Sequence, residues 1–119
     1  MATARTLAPV ELTGAPLAPE EIVAVARLGA PVHLTEQAVA AMAAGRAVVD
    51  RLADDVVPHY GISTGFGALA RRHIRPERRL DLQRSLVRSH AAGTGPEVER
   101  EVVRALMLLR LATLTTGRT

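Results

Sequence analysis

Only two residues of this chain are aromatic, Tyr60 and Phe66, and they lie six positions apart in one glycine-rich stretch. Any core must therefore be assembled from Ala, Val and Leu, which suits closely packed helices. An aromatic pair confined to a loop is better placed to serve a site than a core. At 119 residues, 48% hydrophobic and 23% charged, the chain is globular rather than disordered and amounts to one domain at most.

Composition also removes several chemistries. There is no cysteine, hence no disulfide, thiolate metal site or cysteine nucleophile. Every one of the 15 basic residues is arginine, so neither a Schiff base nor a phosphate-loop lysine is available. The start, Met1-Ala2-Thr3-Ala4-Arg5, leads into no apolar run, and no stretch approaches the roughly 20 apolar residues of a membrane span. No signal peptide and no membrane contact are expected, which makes the cytoplasm the default location.

The element pattern is mainly helical. Val10-Glu11-Leu12 with Thr13-Gly14 reads as a short strand and turn. Pro19-Glu20-Glu21 opens a helix reaching about Leu28, with proline and acids where a first turn favours them. Val32-His33-Leu34 is too short to be more than an extended link. Thr35 caps a helix from Glu36 to about Val56, with Val39, Met42, Val49, Ala53 and Val56 on one arc, and Pro58 ends it. His59 to Ala70 contains three glycines and no period, and is a loop.

Arg75-Pro76 begins a helix running to about His90, and Pro96 takes the first position of the last one. Between Ala105 and Leu114 only Arg110 is charged and only Thr113 is polar. A helix apolar on all sides must be surrounded by protein. Downstream sequence or neighbouring subunits are expected to supply that protein.

Three features could carry chemistry. The loop glycines Gly61, Gly65 and Gly67 let backbone approach a ligand, but neither the phosphate-loop nor the dinucleotide spacing is present. Tyr60 is either packed on a surface turn or an acid–base group, whose free pKa of about 10 would need nearby positive charge or hydrogen bonds to fall. His90 shares a helical arc with Leu80, Leu82, Gln83, Leu86 and Val87, opposite Arg78, Asp81, Arg84, Ser85 and Arg88. It points inward or into a pocket, as a core histidine or a ligand contact. The histidines lack metal-ligand spacing, so no metal is expected. Seven arginines between Arg71 and Arg88 have no aromatic stacking partners and are diluted by Glu77 and Asp81. A solvated face or subunit interface suits them better than nucleic acid.

The runs Tyr60-Gly61-Ile62-Ser63-Thr64-Gly65-Phe66-Gly67 and Ser89-His90-Ala91-Ala92-Gly93 resemble the N-terminal region of the aromatic amino acid lyases, in particular those acting on histidine. The likeness extends over about Thr35 to Gly117, including Leu82-Gln83-Arg84-Ser85-Leu86 and Val102-Val103-Arg104-Ala105. It implies that residues 1–119 form one incomplete N-terminal lyase region of a mainly helical homotetramer, with active sites built from three subunits. The implied reaction takes L-histidine to trans-urocanate and ammonia, using the electrophile methylidene-imidazolone (MIO), made from an internal Ala-Ser-Gly.

The same resemblance implies proton transfer by Tyr60, contact of His90 with the substrate side chain, and shaping of the loop by Gly65, Phe66 and Gly67. His90 favours a polar ring, since relatives acting on phenylalanine tend to carry an apolar residue there. Ser63 stands where many members have asparagine and keeps a small hydrogen-bonding group. Ala-Ser-Gly itself occurs nowhere in the 119 residues, so this portion is expected to be inactive alone. The alternatives are tyrosine ammonia-lyase, an MIO-dependent aminomutase, or a non-catalytic helical interaction module derived from a lyase.

Overall fold

The computed structural model describes residues 7–119. The chain divides into two compact units, one comprising the chain up to Arg46 together with Glu97–Thr119, the other Ala47–Pro96. The described residues are mainly helical, with two short strands near the N-terminal end.

In the first unit, strand β1 (Val10–Leu12) pairs in parallel with β2 (Val32–Leu34), in the register Val10 to Val32, Glu11 to His33 and Leu12 to Leu34. Parallel pairing requires a crossover, and helix α1 (Pro19–Ala26) supplies it. The Glu21 carboxylate accepts from the Ala18 N–H at 2.7 Å, satisfying one open donor at the helix start. The helix ends two residues before the expected Leu28. Gly29, at φ +76°, reverses the chain, and the Ala30 N–H reaches the Ala24 carbonyl at 2.9 Å.

Val32-His33-Leu34 is thus a strand rather than an unpaired link. Its three residues are too few to show an alternation, and its partner lies twenty-two positions upstream. Helix α2 (Glu36–Ala53) follows it directly. The Thr35 hydroxyl accepts from the Ala38 N–H and donates to the Leu12 carbonyl, each at 3.2 Å, so one side chain caps α2 and ties it to β1.

Val10, Leu12, Val25, Ala30 and Leu108 form the core of this unit, with Ile22, Val32 and Ala112 packed against it. Helix α4 (Arg100–Leu114) lies on α1, where Arg104 Nε donates to the Val25 carbonyl at 3.0 Å and Arg27 meets Glu101 at 2.7 Å. Helix α4 begins four residues after Pro96. Glu99, with extended backbone, provides the first carbonyls, accepting from the Val102 and Val103 N–H groups.

Leu108 is buried, but Leu106 and Met107 are both 61% exposed and Leu109 and Leu111 are also open. Of the apolar arc expected on α2, Met42, Val49 and Ala53 are half-buried and Val39 is exposed. Ala38, outside that arc, is the one buried residue of the helix, and Val56 lies beyond the helix and is exposed.

Helix α2 ends at Ala53, five residues before Pro58. In the second unit, helix α3 (Pro76–His90) has its expected bounds. The half-buried stripe on α3 is Arg79, Leu82 and Leu86, whereas Leu80 and Val87 are exposed. Arg79 joins the buried side because its Nε donates to the Ile74 carbonyl at 3.2 Å. That rotates the inward face away from the arc that hydrophobicity alone selects.

Gly45, mid-way along α2, marks a close approach. A Cβ there would run into the Gly117 carbonyl oxygen, and Gly117 itself takes φ +67° against the Ala41 carbonyl. In an open helix Gly→Ala stabilises by about 1 kcal/mol. Here Gly45→Ala is expected to destabilise by about 1–3 kcal/mol, because backbone rather than a flexible side chain must give way. A urea melt checks the sign, and equal or higher stability contradicts the packing described.

Candidate active site

The loop from His59 to Ile74 is held by its own polar groups. Ser63 and Thr64 are buried, at 0% and 1% exposure. The Ser63 hydroxyl accepts from the His59 N–H at 2.9 Å, and the Ser63 N–H donates to the His59 carbonyl at 3.0 Å. The Thr64 hydroxyl accepts from the Gly61 N–H at 3.2 Å and donates to the Gly65 carbonyl at 3.0 Å. No buried side-chain nitrogen or oxygen among the described residues is left unpaired.

Beyond this turn, Thr64 and His73 form an isolated antiparallel bridge, with Gly65 N–H to the Arg72 carbonyl and Ile74 N–H to the Ser63 carbonyl. A short 3₁₀ turn, Gly67–Leu69, fills the space between. The segment expected to be an irregular loop is therefore a closed, internally bonded one.

At its tip Tyr60 and Phe66 meet edge to face, with centroids 5.7 Å apart and planes at 85°. Gly61 permits this contact. Its φ is +71°, and a Cβ would strike Phe66 Cε1. Tyr60 is 64% exposed, and its hydroxyl has no protein partner among the described residues. The phenol is therefore presented, not packed away.

Tyr60, Phe66 and Gly67 line an open cleft of about 670 Å³ together with Leu82, Leu86, Ser89 and His90. Four residues singled out from sequence, at positions 60, 66, 67 and 90, thus come to one cavity within one unit. His90 faces this cleft but is itself exposed, so the core-histidine reading does not hold for the described residues. Gly65 is instead buried, where a Cβ would meet Leu69. The cleft has an apolar floor of leucines and a polar group from each element, the loop and α3, which suits a small molecule combining an apolar ring with polar ends.

The arginines lie elsewhere. Arg72, Arg75 and Arg78 line a separate cleft of about 350 Å³ with His73 and Asp81, and Arg78 pairs with Asp81 at 3.7 Å.

The family model of the aromatic amino acid lyases matches residues 17–119. The chain belongs to this family. Histidine ammonia-lyase of Streptomyces coelicolor is 67% identical over 99 residues, covering 83% of this chain and 19% of that protein. The chain thus spans about one fifth of the length of such relatives. Among solved structures, ergothionase of Treponema denticola superposes with a TM-score of 0.87 at 30% identity, covering 92% of this chain and 22% of that one. A tyrosine aminomutase of Streptomyces globisporus gives 0.84 at 33% identity, covering 92% and 21%.

Within this lyase chain, sequence reasoning missed the pair at the foot of the loop. Asp55 Oδ2 lies 2.9 Å from His59 Nε2, and Oδ1 accepts from the Val57 N–H at 3.1 Å. The i, i+4 spacing of the two residues was the available signal, but it was hidden by extending α2 through Asp55.

The His59 ring hydrogen bond, then the Val57 N–H, hold the Asp55 carboxyl below its ordinary value of 3.8. A carboxyl so lowered adds stability above that value and loses it as pH falls through the depressed midpoint. An NMR titration of the Asp55 carboxyl is expected to give a midpoint below 3.8, returning toward it in His59→Gln. A midpoint at or above 3.8 in the unaltered chain contradicts the pairing.

Proposed function

We propose that this chain is the N-terminal portion of a histidine ammonia-lyase, which eliminates ammonia from L-histidine to give trans-urocanate in histidine breakdown. The observation that carries the reading is the convergence of Tyr60 and His90, thirty positions apart, on one open cleft. Identity of 67% to a histidine ammonia-lyase, against 33% to a tyrosine aminomutase, favours histidine over tyrosine and lyase over aminomutase.

Elimination requires removal of a weakly acidic β-proton and departure of a poor leaving group. In this reading the Tyr60 phenol oxygen transfers that proton, and its lack of a partner among the described residues supports its being open to substrate. His90 contacts the imidazole, while Phe66 and Gly67 bound the ring from the loop side. The MIO group, made from an Ala-Ser-Gly that these 119 residues do not contain, supplies the electrophile that makes the substrate amine a better leaving group.

The parent would be a cytoplasmic homotetramer, with this region as one incomplete domain. No helix among the described residues is long and apolar enough to cross a membrane. The open leucines of α4 support association with further protein rather than with solvent.

In the full-length lyase, Tyr60→Phe is expected to lower kcat for urocanate formation by about 10²–10⁴-fold with little change in KM. A kcat within a few-fold of the parent's would remove Tyr60 from proton transfer. The purified 119-residue chain is expected to form no urocanate, and detectable turnover would overturn the need for the electrophile.

A further inference from the structure

The His90 ring is held by one nitrogen. Its Nδ1 lies 2.9 Å from the Leu86 carbonyl oxygen, one turn back along α3, and 3.1 Å from Ser89 Oγ. A carbonyl oxygen can only accept, so the first contact requires the proton on Nδ1. Ser89 Oγ is also 2.9 Å from that carbonyl and must donate to it. Its lone pairs are then turned toward Nδ1. One assignment satisfies all three distances: the Ser89 hydroxyl donates to Leu86, and Nδ1–H is shared between Leu86 and Ser89. The neutral ring is left with an unprotonated Nε2, which has no protein partner among the described residues.

We propose that the Leu86 carbonyl and the Ser89 hydroxyl fix His90 in its Nδ1–H tautomer, so that Nε2 offers the cleft a hydrogen-bond acceptor. This rests on His90 being a substrate contact and narrows that contact to one polarity. The ligand ring must bring a donor, an imidazole N–H or a phenol O–H. A ring that only accepts leaves two lone pairs facing each other, and an apolar ring leaves Nε2 unmet. Ser89 is a positioning residue in this scheme, since it acts on the ligand only through His90. The ring nitrogen that carries the proton is set by the bond the other nitrogen makes, a recurrent device at histidine sites.

The test is ¹⁵N-resolved NMR of the imidazole nitrogens in the purified chain, above the pH at which the rings are charged. The His90 signals are assigned by their loss in His90→Gln. Nδ1 is expected to carry the proton in the dominant form, and a dominant Nε2–H form overturns the proposal. Ser89→Ala is expected to raise the Nε2–H share several-fold, with Ser89→Thr restoring the original ratio. An unchanged ratio in Ser89→Ala overturns the role of Ser89. The tautomer is read without turnover, so it stands or falls separately from L-histidine as the substrate, which turnover by the full-length lyase decides.

Discussion

Two buried hydroxyls, those of Ser63 and Thr64, hold the loop that presents Tyr60. Ser63 and Thr64 close the backbone from His59 to Gly65 on itself, and each bond replaces one that water would otherwise make. Such a bond contributes about 1 kcal/mol net, but a buried partner left unmet costs about 1–3 kcal/mol, so the turn is held mainly by what its loss would expose. Tyr60 is presented by this turn and its hydroxyl has no partner among the described residues, so its position is inherited from the turn that carries it. The Asp55–His59 pair and the Thr64–His73 bridge fasten the two ends of the same loop.

The second side of the cleft is built by a different rule. A helix places residues 82, 86 and 90 in near alignment, so the leucines that form the floor also carry His90 along their stripe. The loop gives a phenol whose hydroxyl has no partner among the described residues, and the helix gives an imidazole whose orientation is set by its own backbone four residues earlier. A group held by local helix geometry keeps its direction even where it is exposed. That division of labour leaves an open cleft between a phenol on one side and an imidazole on the other.

The sequence made much of this visible, with failures at identifiable places. Helix α3 was legible at both ends, because Pro76 starts it and the glycines after His90 stop it. The resemblance carried by the paired motifs is what links Tyr60 and His90, whereas residue physics alone reads each more readily as structural than as functional. The strand Val32–Leu34 was not legible, because a three-residue parallel pairing is decided by a distant partner rather than by local pattern. The inward side of α3 was misjudged because Arg79, polar by type, buries its stem while bonding a backbone carbonyl. The end of α2 was placed at a proline, whereas the chain had already turned at Asp54 and Asp55 to let the aspartate meet His59. Ser89 stood beside His90 in plain view, but its role depends on a distance no spacing rule supplies.

The central claim is that His90 selects a polar ring on the opposite side of one cleft from Tyr60. The most direct measurement is the ratio of kcat/KM for L-histidine to that for L-phenylalanine in the full-length lyase, before and after His90→Leu. A site built around a hydrogen bond discriminates strongly, so the ratio is expected to fall by at least about 10²-fold in the variant, with the activity on L-phenylalanine rising or holding. A ratio that stays the same, or falls only because both activities drop together, would contradict the account.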